Sequence, residues 1–160
     1  MKTLIASLAV PMLVAAAPAL AQATSPATYV AKAGASDLYE RQSSTLVRSS
    51  KDPKVRDFAQ TMIAHHTKST ADVKAAARAA GLRPAPPKLM PMQARMIADL
   101  RKASGSARDT LYVTQQKQAH QQALALHQGY AADGSSAPLK AAAAKIAPVV
   151  QSHLDMLNGM

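Results

Sequence analysis

Three features of the sequence predict an all-α protein organised as a four-helix bundle. Ala, Gln, Lys and Arg are abundant, glycine is sparse and aromatic residues make up only 3% of the chain, a composition that prefers helix and offers few strand formers. Apolar residues recur at three-and-four spacing over long stretches, the period of an amphipathic helix. Prolines and capping residues cut these stretches into four principal segments and one short one, and a proline-rich linker divides them into two hairpins.

The first 23 residues form a segment of their own. Lys2 supplies a positive start, residues 4–19 an apolar core, and Ala21-Gln22-Ala23 a small-x-small cleavage site, the pattern of a secretory signal peptide. The mature chain is placed at 24–160, with cleavage after Ala21 as the alternative, which leaves one ordinary domain. The apolar run is short for a membrane span, and no later stretch approaches the roughly 20 apolar residues a span needs. A periplasmic or secreted location follows. There is no cysteine, so stability in an oxidising compartment must come from packing alone.

Ser25-Pro26 opens the first helix as N-cap and first helical residue, and the pattern runs to about residue 50. Asp52-Pro53 starts the second, whose inward positions are Val55, Phe58, Met62, Ser69, Val73, Ala76 and Ala80, and Gly81 stops it. Residues 83–87, Arg-Pro-Ala-Pro-Pro, make an extended linker because successive prolines exclude helix. A short helix over 91–104 follows. Ser106 and Asp109 then have the spacing of a capping box, with Asp109 as its acid, for a long helix reaching about 133. The turn at 134–136 leads into a last helix with Pro138 in its first turn and Pro148 inside it. A mid-helix proline loses one hydrogen bond, so a kink is expected one turn before His153.

The formal charge is +10 and falls to +9 once Lys2 leaves with the signal (10 less 1). Such a surplus can mark nucleic-acid binding. Export argues against that partner, the basic residues are spread over every helix, and few aromatics are available to stack on bases. The charge is read as a solvated surface able to meet anionic envelope components.

A bundle core should be apolar, so polar residues on inward stripes carry the information. The stripe of the first helix runs Val30, Ala33, Asp37, Glu40, Ser44, Val47 and holds Glu40, the only glutamate in the chain. His66 lies four residues after Met62, His120 between Gln116 and Ala123, and His153 after Ile146 and Val150. Glu40 and His66 are each about 12 to 14 residues from Asp52, which puts them at nearly one level of an antiparallel hairpin. They are expected to face each other. His120 and His153 stand about 15 and 18 residues from the 134–136 turn, so all four meet if the two turns share one end.

One acid and three imidazoles suit zinc, iron, copper or manganese, making Glu40, His66, His120 and His153 candidate metal ligands. The competing account is a buried acid–histidine layer that fixes helix register without metal. His65 points about 100° away from His66 and either joins the site or lines a neighbouring groove, the groove being favoured. His127 is expected to be exposed or interfacial. Tyr112 and Tyr130 are read as core residues whose hydroxyls find partners. Met90, Met92 and Met96 raise copper through their thioethers, although packing of the short helix is the plainer account.

Haem, nucleotide and covalent catalysis lack their motifs: there is no CxxCH, no glycine-rich phosphate loop, no G-x-S-x-G and no HExxH. A single glutamate cannot build the paired Glu-x-x-His motifs of a di-iron carboxylate site.

The runs Met62-Ile63-Ala64-His65-His66-Thr67, Gly105-Ser106-Ala107-Arg108-Asp109-Thr110-Leu111-Tyr112 and Ala119-His120 resemble domain-of-unknown-function family 4142. So do Pro148-Val149-Val150-Gln151-Ser152-His153 and Tyr39-Glu40-Arg41-Gln42-Ser43-Ser44. The resemblance spans nearly the whole mature chain and implies an exported bacterial, ferritin-like four-helix domain with no established activity. The family's Met-x-x-Asp-His-Thr, Gly-x-x-Phe-Asp-x-x-Tyr and Pro-x-x-x-x-His patterns fall on Met62, His66 and Thr67, on Gly105, Asp109 and Tyr112, and on Pro148 and His153. Its mid-helix histidine falls on His120. His65 replaces the usual Asp and Arg108 the usual Phe, and the first change removes a hard oxygen ligand and favours softer metals.

The expected function is metal or small-ligand binding by an exported bundle in a sensing, storage or envelope-stress role, with no turnover implied. Asp109, Tyr112, Gln116 and Pro148 are expected to support the site. The alternative is a non-catalytic structural or interaction module of the envelope.

Overall fold

A computed structural model describes residues 24–160; the expected signal segment lies outside the described residues. Among the described residues there are five helices and no strand: α1 (Pro26–Val47), α2 (Pro53–Ala79), α3 (Pro91–Lys102), α4 (Gly105–Asp133) and α5 (Ala137–Asn158). The chain is all-α, as its composition predicts. No described helix is long and apolar enough to cross a membrane.

Local chemistry sets the boundaries. The Ser25 hydroxyl accepts the Thr28 N–H at 3.2 Å, and the Asp52 carboxylate accepts that of Lys54 at 2.9 Å, each meeting a donor that a helix start leaves free. A proline follows each cap, where its missing N–H costs nothing. Gly81 takes a left-handed φ of 76° beyond α2, which turns the chain so that Leu82 N–H reaches the Ala77 carbonyl at 2.9 Å. The proline linker then crosses α1 at Gly34, where a Cβ would stand 3.2 Å from the Pro87 Cβ.

The expected box at Ser106 does not form. Helix α4 begins two residues earlier, with Ser104 as its N-cap and Gly105 at a φ of 55°, so Asp109 falls beyond the turn whose N–H groups need a cap. Its carboxylate instead accepts the Ser50 hydroxyl at 2.6 Å, and Arg108 donates to the carbonyls of Ala103 and Leu46. These contacts tie α4 to the end of α1.

Helix α1 packs along α2 and α4 along α5; the two pairs meet through α1 with α4 and α2 with α5, and α3 lies against α1 and α4. The apolar core has two blocks. One holds Tyr29, Ala33, Val73, Ala77, Ala123, Tyr130, Leu139, Ala143, Ile146 and Val150; the other holds Val47, Val55, Phe58, Ala59, Met62, Leu100, Tyr112 and Leu157. With the exception of His127, which lies within the first block on α4, the buried polar residues of the long helices fall between the two: Asp37 to Ser44 on α1, His66 and Ser69 on α2, Gln115 to His120 on α4, and His153 on α5. Each large apolar side chain in the blocks contributes about 2 kcal/mol, which offsets the cost of burying that polar layer.

Two packing expectations change. Ala77, rather than Ala76 and Ala80, is the fully buried alanine near the end of α2. Ile97 and Leu100 anchor α3, whereas Met90 and Met92 are half exposed, because they stand at the start of α3 and face away from its inner side.

Candidate metal centre

Helices α2, α4 and α5 each send one imidazole into the polar layer. His66, His120 and His153 are all buried, and one nitrogen from each lies within 4.8 Å of the other two. Their ring centroids form a nearly even triangle, 5.6 Å from His66 to His120, 5.4 Å from His66 to His153 and 5.3 Å from His120 to His153. Nitrogens on one tetrahedral ion would stand about 3.4 Å apart, so small rotations of the rings would complete such a site. Phe58 packs against His120 and His153 at 6.1 and 6.3 Å, restricting them from the apolar side.

The outer nitrogens are held. His66 Nδ1 lies 2.8 Å from Asp37 Oδ1, and the other oxygen of Asp37 accepts from Thr70 at 3.1 Å. His120 Nδ1 donates to the Gln116 carbonyl at 2.9 Å, which leaves Nε2 as the lone-pair nitrogen of the neutral ring. That Nε2 stands 3.3 Å from His153 Nδ1, and His153 Nε2 is 2.9 Å from His65 Nδ1. Outer partners of this kind orient histidine ligands in metal sites.

Glu40 stands beside the triangle and is fully buried, with Oε1 3.7 Å from His120 Nδ1. Neither carboxylate oxygen has a hydrogen-bond partner among the described residues, nor does His66 Nε2. Burial pushes Glu40 up to about 7, against the pull of the His66 ring and the Gln116 side chain. Burial lowers His120 to about 3 and His153 to about 2, with His66 adding to both. Burial also pulls His66 down, but the hydrogen bond and charge of Asp37, with Glu40 behind them, outweigh it and raise the ring above its ordinary value. Two neutral imidazoles, a third held by a carboxylate and one acid without a hydrogen-bond partner among the described residues thus share a single buried layer.

Of the four residues predicted from helix counting, the three histidines come together and Glu40 lies beside them, its Oε1 3.7 Å from the outer Nδ1 of His120. The pairing inside the layer differs from expectation, since Asp37 and not Glu40 takes the His66 hydrogen bond. His65 does not line a separate groove: its ring stacks on His153 at 5.1 Å. His127 is neither exposed nor interfacial. It is 2% exposed and bonded through Nδ1 to the Tyr29 hydroxyl at 2.9 Å, because the Tyr29 and Tyr130 rings stack at 3.9 Å and close over that end of the core. Tyr112 bonds Ser44 at 2.8 Å as expected of a core tyrosine, while the buried Tyr130 hydroxyl has no partner among the described residues.

The support residues divide. Gln116 serves the layer twice, through its carbonyl on His120 and through its amide, which donates to Ser43 at 3.0 Å. Pro148 lies within α5, exposed, five residues before His153. Asp109 is remote from the layer, on the Ser50 turn. Asp37 and Tyr39 are the residues whose part sequence reasoning did not assign; Tyr39 donates to Gln115 Oε1 at 3.0 Å. For Asp37 the signal was present, since it lies on the same inward stripe as Glu40.

No curated protein and no solved structure matches the chain. One family model does, described as Domain of unknown function (DUF4142), and it matches residues 10–160; with nearly the whole length covered, the chain belongs to that family.

Proposed function

We propose that this chain is an exported, ferritin-like four-helix bundle that binds one transition-metal ion through His66, His120 and His153, with Glu40 as the oxygen ligand. The observation that carries the reading is that Glu40 Oε1 and Oε2 and His66 Nε2, among other buried atoms of the layer such as Gln116 Oε1 and Ser69 Oγ, lack partners among the described residues, beside two imidazoles whose outer nitrogens are already held. A layer serving only to fix helix register would be expected to satisfy its own acid, since a buried unpaired polar group costs about 1–3 kcal/mol. Three nitrogens and one oxygen suit zinc or copper(II) better than magnesium or calcium, which take oxygen ligands. Export through residues 1–23 would place the site where envelope metals are accessible, and the basic surface would face anionic envelope components.

Elemental analysis and titration of the mature chain with Zn(II), Co(II) and Cu(II) test this. The expected result is one ion per chain, lost in a His66→Ala, His153→Ala double variant whose helical content is retained. Equal metal content in the two proteins would leave the structural-module reading in its place.

Asp37 gives a graded check. Asp37→Asn keeps an acceptor for His66 Nδ1 but removes its charge, and loss of such an outer partner typically weakens metal binding by about 10- to 100-fold. A drop at the lower end, about tenfold, is expected in competition with a chelator. Unchanged affinity would separate the Asp37–His66 pair from metal binding.

A further inference from the structure

We propose that His65 is the entry ligand of this site, capturing an ion at the protein surface and passing it to His153; the inference rests on the metal-binding reading above. His65 is the one histidine of the chain's five that is exposed, whereas His66, His120 and His153 are 3%, 0% and 1% exposed. An ion in solvent therefore meets no triad nitrogen directly. His65 Nδ1 lies 2.9 Å from His153 Nε2, and the two rings stack at 5.1 Å with 24° between their planes.

The remaining approaches are closed by what packs there. Phe58 covers His120 and His153 from the apolar block, Asp37 and Thr70 cover the outer edge of His66, and the Gln116 backbone covers that of His120. The outer nitrogen of His153 is the only one of the three held by a side chain that itself reaches solvent. The others end on a buried carboxylate and on a carbonyl inside α4.

Transfer is ligand exchange. The ion first holds His65 and water; His153 Nε2, which faces His65, displaces one water, and as the His153 ring turns inward His120 displaces a second water and His66 displaces His65. At each step one metal–ligand bond forms as another breaks; no covalent bond of the protein changes and no electron moves. An entry ligand lowers the barrier in both directions, so replacing its imidazole while keeping the hydrogen bond to His153 slows loading and release alike and leaves affinity, their ratio, unchanged.

The test is stopped-flow mixing of the mature chain with Co(II), followed by the visible absorption of the bound ion, and then release into excess chelator. For His65→Asn, which keeps a hydrogen-bonding group against His153 without a metal-binding imidazole, loading and release are both expected to slow by about tenfold or more, with affinity within about twofold of wild type. His65→Ala is expected to be as slow and also to bind more weakly, because it leaves the outer nitrogen of His153 unheld. Unchanged rates in either variant overturn the proposal, and so does recovery by Asn, which would make His65 only a prop for His153. Loss of bound Co(II) at equilibrium in His65→Asn also overturns it, because His65 would then be a permanent ligand. Failure of the wild type itself to bind Co(II) removes the metal-binding reading, a result separable from all of these.

Discussion

Glu40→Gln is expected to stabilise the metal-free chain by about 2–3 kcal/mol at pH 8 while weakening metal binding at least about tenfold. Glu40 is fully buried, its two oxygens have no partner among the described residues, and burial raises it from 4.5 to about 7. Below pH 4.5 the carboxyl is protonated whether the chain is folded or not, so the variant gains nothing there. Between 4.5 and 7 the unfolded chain releases the proton and the folded chain keeps it, so stability falls by about 1.4 kcal/mol per unit. Above 7 the whole penalty is present. Gln removes it with little change of volume, although its own amide stays imperfectly paired and reduces the gain. Urea unfolding at pH 4.5 and pH 8 measures the difference. A variant less stable than wild type at pH 8 would mean that Glu40 is satisfied and that the layer serves register.

That expectation reverses the one the sequence suggests. From spacing alone Glu40 is the natural partner of His66, and its loss should strand the histidine donors. In the structure Asp37, one turn earlier on the same stripe, holds His66, and Glu40 is left over. Two acids three residues apart share one face of a helix, so spacing could place both in the layer and could not say which one the imidazole takes.

What was legible follows the same division. Helix limits are local: Ser25, Asp52, Gly81 and the prolines that begin α1, α2 and α3 act within one turn of themselves, and the observed bounds lie within a few residues of those read from sequence. The level of Glu40, His66, His120 and His153 was legible because rise per residue from a turn is a fixed quantity. Rotation about the helix axis was harder. Helices α1 and α4 carry Ala, Ser, Gln and His around most of their circumference, so no apolar stripe fixes which side faces inward. His127 was misplaced for that reason, its burial depending on Tyr29, 98 residues away. His65 was misplaced for another: a residue 100° from the core face still reaches the core when the neighbouring helix, here α5, brings His153 up to it.

Acid should destabilise the metal-free chain steeply, by nearly 3 kcal/mol for each pH unit between about 6 and 5. Burial lowers His120 to about 3, His127 to about 4 and His153 to about 2. The folded chain therefore keeps these three neutral in a range where the unfolded chain, with ordinary values near 6.5, protonates them. The unfolded state binds three more protons there; Glu40, held up to about 7, returns one to the folded side. The net is two protons, each equivalent to about 1.4 kcal/mol per unit. His66 acts in another window, because a raised imidazole adds stability that is complete below 6.5 and is lost as pH rises through its folded value. His127→Gln lies outside the triad and should lower the slope between pH 6 and 5 by one proton, whatever it does to stability at pH 7. Urea midpoints at pH 7, 6 and 5 for both proteins decide the matter, and a flat profile would mean that the histidines are protonated within the folded chain. The acid sensitivity and the proposed metal chemistry have one origin, since a metal takes only the neutral imidazole and the burial that resists protons at His120 and His153 keeps both lone pairs free at neutral pH.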